Sequence, residues 1–117
     1  MKNHENKIAA NKRLAALLGW ANIVEVGGSL LGTPPAGAAE SRGQALVPDW
    51  MGDWAAAGPM IGQFKMSVGF TGLEAVATAR DYEKGAAFEV IADHATADAA
   101  ARVAIVRAII RALEAGQ

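Results

Sequence analysis

Residues 96–115, TADAAARVAIVRAIIRALEA, carry the strongest helical pattern in the chain, and every other segment reads as something that packs against them. Thr96 suits an N-cap, and Asp98 puts a carboxylate in the first turn, at the positive end of the helix dipole. Gly116 is placed to end the helix in the left-handed conformation. Ala99, Val103, Val106, Ile109, Ile110 and Leu113 fall on one arc at about 100° per residue, which is a core-facing stripe. Arg107 and Arg111 share a flank, with Glu114 three residues beyond Arg111. Ala97, Ala101, Ala104, Ala108, Ala112 and Ala115 make a further face of alanine alone. Alanine is the best helix former, and a face this flat also lets a second helix or subunit approach closely.

Working back from that helix, residues 86–92, AAFEVIA, read as a strand with Phe88 and Val90 facing the core and Ile91 opposite. Apolar residues on both of its faces suggest a sheet covered on both sides. Residues 73–80, LEAVATAR, sit between a Thr71–Gly72 turn and an Asp81–Gly85 loop, and are read as a hairpin strand despite their alanine content. Phe64, Met66, Val68 and Phe70 alternate with Lys65, Ser67 and Gly69, the period of a half-buried strand. A helix is expected from an Asp49 N-cap after Pro48, with Trp50 and Trp54 one turn apart on the same side and Gly58-Pro59 kinking or ending it. Gly27–Gly43 is rich in Gly, Ala, Pro and Ser and is expected to be irregular, the core of a long loop over about 27–47. Loops of that length are often functional. Ile23–Val26 reads as a short strand. Residues 4–18 read as a first helix with Ile8, Leu14, Ala15, Leu17 and Leu18 on its apolar side, closed by Gly19 ahead of Trp20. The fold class expected is α+β, a small antiparallel sheet of about three to four strands packed with two to three helices in the order α-β-α-β-β-α.

With 117 residues the chain is read as one domain, 1–117, large enough to bury roughly two-thirds of its unfolded surface. There is no cysteine, so disulfides, thiolate nucleophiles and cysteine metal sites are excluded. A net charge of −1 argues against sequence-independent grip on nucleic acid, which needs a surplus of Lys and Arg. The amino terminus is polar and no apolar run approaches the ~20 residues that span a bilayer, so a soluble, cytoplasmic protein without membrane partners is expected. Hydrophobic residues reach 52% but aromatics only 6%, so alanine supplies much of the apolar count. A core so thin per residue favours a homo-oligomer.

Candidates for chemistry are few. Nucleophilic catalysis needs a nucleophile beside a base and an orienting group. Of the two histidines, His4 lies near the terminus. His94 stands beside Asp93 and, with Asp98, makes the one cluster that suits acid–base or metal chemistry. The plainer reading is that Asp93 and His94 help satisfy the start of the helix. Gly27-Gly28-Ser29-Leu30-Leu31-Gly32 has the glycine content of a phosphate loop but neither its Gly-Lys-Ser/Thr ending nor a dinucleotide spacing. No catalytic residue, metal or cofactor is therefore assigned. Trp20, Trp50 and Trp54 are three of the seven aromatic side chains. They either fill gaps in an alanine-rich core or line a pocket and stack on a flat ring while Arg42, Lys65 and Arg80 hold phosphate. Those six are the candidate ligand-binding residues.

The order of elements resembles the phage ABA sandwich domain family, small α+β proteins encoded by bacteriophages and prophages. The likeness is carried by Leu17-Leu18-Gly19-Trp20 after the first helix, and by Pro48-Asp49 with Asp53 and Ala55-Ala56 at the second. Ala104-Ile105-Val106-Arg107-Ala108 with Leu113 extends it to the end, over about Leu14–Ala115. Gly52 stands where the family pattern has threonine and Val106 where it often has cysteine. Gly58-Pro59 interrupts a helix expected to continue. The resemblance implies a phage or prophage origin and helix–sheet–helix layering, without an established enzymatic activity. By analogy with small phage proteins, it suggests a counter-defence role in the host cytoplasm, such as sequestering a nucleotide immune signal. An interaction module for a host or phage protein, and a metal-assisted enzyme built on Asp93 and His94, are the alternatives.

Overall fold

The computed structural model describes residues 2–35, 43–79 and 85–116, with side chains from residue 7 onward. The fold class is α+β: the described residues form three α-helices and six strands in two antiparallel three-stranded sheets. The chain divides into two compact units, Met1–Pro48 and Asp49–Gln117.

In the first unit, α1 spans Lys2–Leu17 and buries Leu14 and Ala15 completely. It ends as the sequence suggests. Gly19 takes φ +103°, the Gly19 amide donates to the Ala16 carbonyl at 3.1 Å, and the Trp20 amide donates to the Ala15 carbonyl at 3.0 Å. That pair of bonds is a Schellman cap, and it turns the chain directly into β1 (Ala21–Val26). Within the stretch expected to be irregular, Gly27–Gly43, residues 29–33 form a strand, and residues 36–42 lie outside the described residues. Gly27 and Gly28, at φ +59° and +84°, form a two-residue turn into β2 (Ser29–Thr33), which pairs with β1. Both positive φ values are those of a type I′ hairpin, whose twist matches that of paired strands. A bulge at Asn22 and Ile23 breaks the register between Ala21 and Val24. Asn22 sits at φ +54°, a region asparagine tolerates better than most residues. β3 is the short pair Ala45–Leu46, hydrogen-bonded to β2.

The second unit starts one turn later as a helix than expected. Asp49 does cap a turn, accepting from the Gly52 amide at 3.0 Å, but the turn closes at Asp53. Asp53 is the N-cap of α2 (Trp54–Gln63), its carboxylate accepting from the Ala55 amide at 3.0 Å. Gly52 lies close under the Asp49 carboxylate, where a Cβ would meet an oxygen at 2.5 Å. Pro59 neither ends nor interrupts this helix, which runs on to Gln63 with Ala57 and Met60 buried. The proline ring faces outward, so the helix gives up one amide donor and keeps its apolar side.

β4 (Met66–Phe70), β5 (Glu74–Ala79) and β6 (Ala86–Val90) form a meander with β5 in the centre. The β4–β5 turn is held by Thr71, whose hydroxyl accepts from the Leu73 and Glu74 amides at 3.2 and 2.9 Å. After a 3₁₀ turn at Ile91–Asp93, α3 spans Ala97–Ala115 and lies against β5 and β6, while α2 packs on α3 and β4. Thr96 caps α3 as expected, accepting from the Ala99 amide at 3.0 Å. Gly116 does not take the left-handed conformation; its φ is −82°, and the helix simply runs out.

Candidate functional site

Alternation along β5 sorts the meander into two faces. Ala75, Ala77 and Ala79 point to one side and are fully buried, with Ala87 of β6 beside them. α3 lies over this side, and its own Ala100, Ala104 and Ala108 are fully buried too. Small residues on both layers let helix and sheet approach closely. The alanine face of the last helix is thus buried within the chain from Ala101 to Ala112 and open only at its ends, Ala97 and Ala115.

The reading of β6 is reversed by this packing. Phe88 and Val90 do not face the core: they are 59% and 43% exposed. Ala87 and Glu89 point towards α3 instead. A phenylalanine on that side would hold the helix off, whereas Glu89 meets partners carried by the helix and its entry. The Glu89 Oε1 pairs with His94 Nε2 at 2.9 Å and its Oε2 with the Arg107 guanidinium at 3.1 Å. Of the Asp93–His94–Asp98 grouping, weighed against the plainer reading that Asp93 and His94 serve the helix start, His94 is committed to Glu89 in this cluster. Among the described residues no group of three or more His, Cys, Asp or Glu side chains could hold a metal ion.

The opposite face carries Ser67 and Gly69 from β4, Glu74, Val76 and Thr78 from β5, and Ala86, Phe88 and Val90 from β6. The register sets Val76 between Gly69 and Phe88, and Glu74 opposite Val90. Among the described residues no helix of this unit covers it, so the two-sided layering expected of this sheet is not seen there. Open hollows lie along it, one lined by Ser67, Gly69, Val76 and Thr78, another by Thr71, Leu73, Glu74 and Val90. Leu73, at the hairpin tip beside Val90, is 78% exposed.

The six candidate ligand residues are not gathered into one pocket. Trp20 belongs to the first unit, where its ring closes over Gly32 on β2. Trp50, expected on α2 beside Trp54, lies in the turn before that helix and is 5% exposed, a core residue. Trp54 is the first helical residue of α2 and half-buried, and the guanidinium of Arg102 stands 5.9 Å from its ring centroid. Arg102 also donates to the Met51 carbonyl at 3.2 Å, which fixes it over the ring. Lys65 follows α2 at φ +50° and is exposed. Arg42 and Arg80 lie outside the described residues. Sequence reasoning missed Arg102, Arg107 and Glu89. Glu89 alone had a local signal, since a lone charge inside an apolar strand calls for a partner.

Among the described residues no helix is long and apolar enough to cross a membrane. Compared with protein-family models, with curated proteins and with solved structures, the chain finds no match.

Proposed function

We propose that this chain is a non-enzymatic binding protein of the phage accessory type, acting in the host cytoplasm, and that it recognises another protein through the open face of the β4–β5–β6 sheet. One observation carries the reading: Phe88 and Val90 stand in solvent beside Val76 on a regular, uncovered sheet. Large apolar side chains grouped on such a surface mark docking sites. The phage ABA sandwich resemblance supports the accessory role, and the packed alanine layers leave this face as an apolar surface on offer.

Photo-crosslinking in a bacterial host tests it. A benzophenone side chain at position 88 should give discrete adducts heavier than a self-crosslinked pair, and the same group at exposed Lys12 should not. Adducts indistinguishable between the two positions would remove the reading.

A second reading rests on Trp54 and Arg102. A guanidinium held over an indole ring offers stacking and phosphate pairing at one place, which suits a small nucleotide-type ligand captured without catalysis. A thermal-shift panel of nucleotides and cyclic nucleotides separates the two. Stabilisation lost in Arg102→Ala but kept in Phe88→Ser favours the nucleotide site.

A further inference from the structure

Among the described residues no strand pairs with the outer edge of β6. Its hydrogen-bonding phase is set by two flanking bonds, from the Ala79 amide to the Gly85 carbonyl and from the Ile91 amide to the Leu73 carbonyl. Odd-numbered residues of β6 therefore bond inward to β5. The amides and carbonyls of Ala86, Phe88 and Val90 point outward. The Arg111 guanidinium confirms this, donating to the Ala86 carbonyl at 2.8 Å from outside the sheet. Proteins usually blunt such an edge with charged side chains, proline or a bulge; this strand has no lysine, proline or bulge, and its one charge, Glu89, is turned to the helix side.

We infer that β6 pairs antiparallel with β6 of a second copy of this chain, joining two three-stranded sheets into one of six. A twofold axis at Phe88 fits the strand to itself. Phe88 stands opposite Phe88 of the second copy and Ala86 opposite Val90, so the open faces run on as one apolar surface. On the helix side Ala87 stands opposite the second copy's Glu89. Arg111, anchored at Ala86 on that rim, then meets the Glu89 carboxylate across the axis, twice by symmetry. The Ala86 carbonyl has two lone pairs and accepts both Arg111 and the incoming Val90 amide. That complementarity of charge favours a second copy over an arbitrary extended peptide. A five-residue edge falls short of a standard interface of about 1,600 Å², so the pair is weak, with a dissociation constant in the micromolar range. The inference rests on the recognition reading only for what the enlarged face would bind; the pairing stands by itself.

Sedimentation of the full chain from about 1 μM to about 1 mM, with amide hydrogen exchange over the same range, tests it. A monomer–dimer equilibrium is expected, with Phe88 and Val90 amides gaining protection as the dimer fills. Phe88→Lys and Val90→Lys should each raise the dissociation constant at least about tenfold, and Arg111→Glu should do the same by facing Glu89 with a like charge. A chain monomeric throughout overturns the pairing, as does a dimer whose Phe88 and Val90 amides stay unprotected or that Val90→Lys leaves intact. If Phe88→Lys loses its helical circular dichroism, Val90→Lys and the exchange data decide. A monomer that still yields foreign adducts from position 88 sinks the pairing alone. A dimer that yields none sinks the recognition reading alone.

Discussion

Glu89 connects three elements through one carboxylate, with its side chain only 12% exposed. His94 at the entry to α3 and Arg107 about three turns into it hold its two oxygens, so it ties helix to strand. Charge-assisted bonds contribute about 1.5–3 kcal/mol each when sheltered, but the Arg107 side chain is 52% exposed and its share is screened. Glu89→Ala should therefore lower stability by about 1–3 kcal/mol in urea melts. Unchanged melting would mean the cluster is ornamental. At Gly28, φ +84° with a neighbour also at positive φ makes the backbone alone selective. Gly28→Ala should cost about 1–2 kcal/mol, the penalty of a left-handed residue with a Cβ. A neutral result would remove the type I′ turn.

At the scale of elements, α2 contains its own defect. Pro59 sits mid-helix and deprives the Ala55 carbonyl of its donor, yet the helix persists because Ala57 and Met60 are buried and Phe64 packs at its end. Pro59→Ala restores that bond on an exposed position and should raise the urea midpoint, by up to about 3 kcal/mol less the entropy the unfolded chain regains. A lower midpoint would show that the proline is part of the packing. The alanine layers under α3 tolerate the reverse change poorly. Ala77 is fully buried in the central strand, and Ala77→Leu must push α3 away, at about 1–3 kcal/mol or more in the same melts. A variant as stable as the parent would mean that helix and sheet are not closely packed there.

At the scale of the whole molecule, two units each carry one sheet, and the second keeps one face of its sheet sealed and the other open. Sealing uses alanine where aromatic residues would be expected, and the aromatic side chain of β6 is left outside. Phe88→Ser should accordingly change stability by no more than about 0.5 kcal/mol, as surface substitutions do. It should also reduce binding of an apolar dye such as ANS. A large loss of stability would place Phe88 in the core after all.

The residues alone were enough for α1 and its glycine cap, for α3 from Thr96 onward and for the three strands of the second sheet, because helix periodicity, capping and alternation are local physics. The β1–β2 hairpin was equally local: Gly27-Gly28 between strand-like segments is a hairpin signal, obscured by the loop-like composition that follows it. Burial was a different matter. Alternation says that two sets of side chains on β6 face apart, but not which set meets a helix. That was decided by α3, whose alanines and Arg107 fit Ala87 and Glu89 and not Phe88. Likewise, only the packed structure could set Arg102 over Trp54, across nearly fifty residues of chain, since no local rule links residues so distant in sequence.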